Sequence, residues 1–227
     1  MKRLIGAFAL AVLATSAGAQ VGHLPENSPY RDVETRQELT FFGGRFSAGQ
    51  DLIGVAPRGG AMFGLRYDVH VGGPALLTAR WSHVNSERFP IDPTKTGAAS
   101  HLAKQNVGLN LYDVDLTLNL TGQKSYHHFI PVVNLGAGIA SCSCTLKPDP
   151  YTFGTPFAFS FGGGLRYVPG GRFQLRADWG DYLYQLKYPS AYYLNTGSGS
   201  AVPANQARSF WKNNRAITLG ASLLFFR

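Results

Sequence analysis

Hydrophobic and polar positions alternate along GAMFGLRYDVHV, residues 60–71. Ala61, Phe63, Leu65, Tyr67, Val69 and Val71 form one set; Met62, Gly64, Arg66, Asp68 and His70 form the other. Successive side chains of a strand point to opposite faces, so one face here is apolar throughout and the other is charged. The same period recurs in PALLTARWSH, YDVDLTLNL, FIPVVNLGAGIA, PFAFSFGGGLRY and RFQLRADWG. It closes the chain as Ile217, Leu219, Ala221, Leu223 and Phe225 against Thr218, Gly220, Ser222 and Leu224. A further strand near Glu38 to Phe46 is less regular, because aromatics fall on both faces. Eight strands result, each near the ~9–11 residues that a tilted strand needs to cross a bilayer.

One strand changes phase. Val107, Leu109 and Leu111 are apolar at odd positions, and from Tyr112 onward the even positions take over. A one-residue slip swaps faces, so the pattern predicts a β-bulge near Leu111 and Tyr112, or a strand that leaves the membrane there. The connections alternate in length. Residues 46–60, 83–104, 142–154 and 189–214 are long, while 72–74, 122–128 and 169–171 are short. Up-and-down membrane barrels keep that parity, with short periplasmic turns and long extracellular loops. The fold class is therefore all-β: an eight-stranded antiparallel up-and-down transmembrane β-barrel, apolar face outward and charged face inward.

The ends divide the chain into three. Lys2 and Arg3, an apolar run from Leu4 to Ala14 and the Ala17-Gly18-Ala19 site form a secretory signal peptide over 1–19. Gln20 follows the site, so a lipoprotein anchor is not indicated. Residues 20–37 read as a periplasmic arm, either extended or with a short helical turn begun by Ser28-Pro29; residues 38–227 read as the barrel. Charged residues are sparse at 15%, and the net charge of +8 is spread along the chain rather than clustered as a nucleic-acid footprint. No nucleic-acid partner is expected.

The segments NLYDVDLTLNL, PVVNLGAGIA, FGGGLRYVPGGRFQLRADWGDY and ITLGASLLFF resemble the outer-membrane β-barrel domain family, the small OmpA-type barrels of Gram-negative bacteria. The likeness runs from about Glu38 to Phe226. It implies an outer-membrane location, contact with membrane lipid and lipopolysaccharide, and recognition by the barrel-insertion machinery. Such barrels usually end on an aromatic residue, whereas Arg227 follows Phe225 and Phe226 here. The family pattern carries no catalytic residues and no cofactor.

Candidate chemistry is confined to a few places. The inward set holds Arg66, Arg80, Arg166 and Arg176 against Asp68, Asp113, Asp115 and Asp178. A barrel of eight strands is just wide enough for its own side chains, which favours a structural ion-pair network; a narrow ion path is the second reading. Trp81 and Trp179 at one end of the apolar faces, with Tyr167, Phe173 and Phe225 at the other, are expected as aromatic girdles. Cys142 and Cys144 are a candidate disulfide or two free thiols. A metal site is not indicated there, since no further ligand lies nearby, nor at His127-His128. LGAG at 135–138 and GGG at 162–164 precede no helix and are not phosphate loops. In WSHVNSER, His83 shares a face with Asn85, while Ser82 and Ser86 point the other way. A lipid A-modifying enzyme therefore remains a weak third function. Tyr192, Tyr193, Phe210 and Trp211, with Arg208 and Lys212, mark the last long loop as a candidate partner surface. The leading function is non-enzymatic, in envelope integrity or surface interaction.

Overall fold

The computed structural model describes residues 28–33, 36–95, 97–193, 202, 205 and 207–225. The expected signal peptide, residues 20–27 of the arm and Arg227 lie outside the described residues. Among these residues there are ten strands: β1 (Tyr30–Asp32), β2 (Gln37–Ala48), β3 (Gly60–Gly72), β4 (Ala75–Arg88), β5 (Gln105–Asn119), β6 (Lys124–Tyr126), β7 (Phe129–Cys142), β8 (Phe157–Gly170), β9 (Phe173–Lys187) and β10 (Ser209–Phe225). Eight of them pair antiparallel with their neighbours in chain order, and β10 returns to β2 from Phe225↔Gln37 to Asn214↔Ala48. That last ladder closes the barrel and leaves the eight long strands without a free edge.

Polarity is inverted relative to a water-soluble domain. Arg66 and Arg166 are 2% exposed, whereas Leu219 is 68% exposed. On β10 the outward row runs Ile217, Leu219, Ala221, Leu223, Phe225, and on β5 it runs Tyr112, Val114, Leu116, Leu118. The other long strands follow the same pattern over most of their length, so the exterior is an apolar band and the interior holds the charges. No described helix is long and apolar enough to cross a membrane, which says nothing against strands.

Two tight turns rest on glycine pairs. Gly72 and Gly73 between β3 and β4, and Gly170 and Gly171 between β8 and β9, all have positive φ, a region where only Gly sits without steric cost. The β5–β7 turn is longer and contains β6. The described part of the arm is extended, not helical: β1 pairs with β6 through Tyr30↔Tyr126, Arg31↔Ser125 and Asp32↔Lys124. The other end carries loop 1 (49–59), loop 2 (89–104), loop 3 (143–156) and loop 4 (188–208).

No bulge exists at Leu111 and Tyr112. β5 keeps one register against β4 from Arg88↔Gln105 to Ala75↔Leu118, and one against β7. The odd positions face inward along the whole strand. What changes is the filling: Asp113, Asp115 and Thr117 lie in a polar interior, and Leu109 and Leu111 lie in an apolar one. The outward row changes at the same height, from Tyr112 to Asn110, Gly108 and Asn106. The strand thus leaves the apolar band without slipping.

Candidate functional site

The structure brings all eight sequence-selected charges into the lumen, arranged in three tiers. Nearest the turn end, Arg166 donates to Glu38, to Asn119 Oδ1 at 2.9 Å and to Gln174 Oε1 at 3.0 Å, and Gln174 also donates to Glu38. In the middle, Arg66 Nε binds Asp68 at 2.9 Å while its Nη2 reaches Thr78 and Thr117 at 3.1 and 2.8 Å. Arg176 joins this tier, 3.3 Å from Asp68 and 2.7 Å from Asp178. Toward the loops, Arg80 spans Asp113 at 2.6 Å and Asp115 at 2.9 Å and lies over the Tyr182 ring. Strand period places these groups, since each occupies the inward parity of its strand.

Glu38 makes the set five carboxylates to four guanidinium groups. It is 1% exposed and was hidden in sequence by the aromatics on both faces of its strand. Glu38-Leu39-Thr40-Phe41 does carry the alternation, so the signal was present over those positions. The lumen cavity beside Arg66, Arg80 and Asp178 measures about 20 Å³, room for about one water.

Above the charges the interior becomes apolar. Phe46, Met62, Val84, Leu109, Leu111, Tyr184 and Leu186 form a buried layer that continues into loop residues Val55, Ile91, Tyr151, Phe153 and Tyr192. One buried hub ties the four loops together. Arg88, at the end of β4 and fully buried, donates to Val55 O of loop 1 at 3.1 Å, to Cys144 O of loop 3 and to Asp149. Asp149 accepts from Ile91 N of loop 2 at 3.4 Å, from Tyr151 N at 2.9 Å and from Tyr192 Oη of loop 4. Burial pushes the Tyr192 phenol up, and Asp149 beside it adds to that shift; burial also pushes Tyr151 up. Nothing in the alternation isolates this hub, because its partners come from irregular segments.

Other sequence candidates fall as follows. Trp81 is the last apolar outward residue of β4, and Trp179 precedes Asp181 on the outward row of β9; Arg215 lies over Trp179 while binding Asp181 at 3.4 Å. Tyr167, Phe173 and Phe225 are exposed near the turn end. Cys142 and Cys144 are disulfide-bonded, Cα atoms 5.2 Å apart. His83 Nδ1 meets Asn110 Oδ1 at 2.8 Å on the exterior, Ser86 faces inward to Arg58 O, and Glu87 pairs with Lys104. The last loop is less open than expected. Tyr192 and Lys212 are buried, Phe210 stacks on Tyr188 at 4.7 Å, and Trp211 and Arg208 are left exposed. Packing of loop 4 onto the apolar layer is the reason. No group of three metal-ligating side chains occurs among the described residues.

No family description matches the chain, and no curated protein matches it in sequence. Solved structures do. Neisserial surface protein A aligns with a TM-score of 0.53 at 9% identity, over 83% of this chain and 97% of that one. The N-terminal β-barrel domain of Pseudomonas aeruginosa OprF aligns at 0.42 and 11%, over 84% and 98%. Ail, the attachment invasion locus protein of Yersinia pestis, aligns at 0.42 and 13%, over 85% and 100%. At such identities the likeness is one of fold.

Proposed function

We propose that this chain, which has the fold of the small eight-stranded outer-membrane barrels, is an integral outer-membrane protein with a closed lumen. In this reading it conducts nothing, catalyses nothing and holds a rigid loop cap at the cell surface. One observation carries the reading: three tiers of paired charges fill the lumen, and the Arg88–Asp149 hub seals the loops above them. Paired, hydrogen-bonded charges in a space their own side chains fill are a packed interior rather than a path. The short turns then face the periplasm and the loops face outward. Lipid and lipopolysaccharide surround the apolar band, the insertion machinery delivers the chain, and a surface partner meets the cap. The exterior at His83 argues against acyl transfer, because His83 Nδ1 meets Asn110 Oδ1 and both nearby serines point inward.

The test is single-channel recording of the refolded chain in a planar bilayer, after a heat-dependent gel shift confirms folding. A silent bilayer is expected. Discrete openings that change in Asp115→Asn overturn the closed-lumen reading.

A further inference from the structure

Loop 1 meets the loop ends of β2 and β10 around a cavity of about 380 Å³. Three cations line it: Arg45, Arg58 and Lys212. Asp51 is the one carboxylate in its lining. Lys212 occupies an inward position of β10 and is 3% exposed, yet its amine has a single hydrogen bond among the described residues, to Pro57 O at 2.7 Å. An ammonium carries three donors, so two have no partner among the described residues. Asp51 does not fill the gap. Its oxygens accept from Val55 N at 3.1 Å, Ala56 N at 3.3 Å and Tyr188 Oη at 3.1 Å, and it forms no ion pair among the described residues. Arg58 lies over the Phe89 ring at 4.2 Å and has no carboxylate partner among the described residues; neither does Arg45.

The lining therefore carries an excess of two positive charges, with Arg45 and Arg58 exposed at its rim, and the buried Lys212 amine is short of partners among the described residues. Burial holds the Lys212 amine down to about 8; Asp51 opposes that shift and Arg58 adds to it. A dianion would restore the balance, taking the two free ammonium donors and meeting planar guanidinium forks. Position narrows the choice. Arg45 stands opposite Ile217 of β10, where the outward row turns to Arg215 and Asn213 before the exposed Trp211. The mouth of the cavity opens just above the apolar band.

We propose that this cavity binds a phosphate monoester, with Lys212 as the buried counter-charge and Arg45 and Arg58 as donors at the mouth. A lipid headgroup as the source rests on the outer-membrane reading above; free phosphate as the source does not.

The test is ³¹P NMR of the refolded protein in two settings. One is detergent micelles titrated with inorganic phosphate; the other is nanodiscs doped with phosphatidic acid. A bound resonance with one phosphate per barrel is expected in at least one. Saturation in micelles identifies a soluble ligand, and a bound signal in nanodiscs alone identifies a lipid. Lys212→Met should abolish the bound signal, and Arg45→Gln and Arg58→Gln should each weaken it about tenfold, the size of one lost charge-assisted contact. All three should keep the heat-dependent gel shift. No bound resonance in either setting, or equal binding by folded Lys212→Met, overturns the proposal. A silent bilayer alongside that result leaves the closed-barrel reading intact, and a conducting barrel with bound phosphate fails only the latter.

Discussion

Charge removed singly and charge removed in pairs should behave differently inside this barrel. Arg166 and Glu38 are each about 2% exposed and share Gln174 as a second partner. Glu38→Leu leaves Arg166 buried with neutral partners, a change that costs about 3–5 kcal/mol. Adding Arg166→Met removes the stranded charge and should recover most of that loss. Equilibrium unfolding in urea, with the barrel in lipid, measures both; a double variant as unstable as the single one would sink the network reading. Lys212 gives a pH signature of opposite origin. Its amine is held down to about 8 from an ordinary 10.5. Below pH 8 the charge is borne by both states and its burial cost is fully present. Between about 8 and 10.5 the unfolded chain binds more protons, so stability rises with pH through this group. Above 10 the raised phenols of Tyr151 and Tyr192 reverse the trend, because the unfolded chain ionises first. In phosphate-free buffer the rising limb should vanish in Lys212→Met; its persistence would assign it to another group.

Strand packing makes its own demands. Gly138 lies inward on β7 opposite Asp113 of β5, and a Cβ placed on it would come within 1.9 Å of Tyr112 O and 2.6 Å of Asp113 Cα. The Asp113 Cβ would lie only 2.8 Å from it, so the bare glycine leaves that space to the aspartate. Gly138→Ala must push β7 off β5 and should cost about 1–3 kcal/mol or more. Gly43→Ala is the control, since its nearest neighbour would be Met62 O at 3.8 Å, and it should change little. Urea midpoints for the two variants would test this, and equal midpoints would contradict it. The eight strands and their faces were legible in sequence because a buried face imposes a period of two on every residue of a strand. β5 shows where that logic misled. Leu109 and Leu111 read as a slip or as a strand leaving the membrane; the slip is absent, and they are inward residues of an unbroken strand that leaves the apolar band as its interior passes from charged to apolar. Period reports which residues share a side and is silent on what fills it. Arg88 and Asp149 were missed for a related reason. They meet 61 residues apart, through loops with no period at all.

At the scale of the whole molecule, two seals lie in series. The charge tiers fill the barrel at the height of the apolar band, and the loop cap with its apolar layer closes the end above them. They depend on different interactions and should fail separately. Replacing residues 145–155 by a short glycine-rich turn removes Asp149 and Tyr151, frees Arg88, and opens the cap. Eight strands still leave an interior only wide enough for side chains, so this variant should remain silent in a planar bilayer. Adding Arg66→Ala and Arg176→Ala clears two guanidinium groups from the middle tier and leaves Asp68 and Asp178 facing water. That combination should pass small cations in preference to anions, since the remaining lumen charge is negative. Reversal-potential measurements across a salt gradient read the sign directly. Conductance in the loop variant alone would move the seal from the lumen to the cap. The tiers would then be scaffolding around a pore that the loops keep shut.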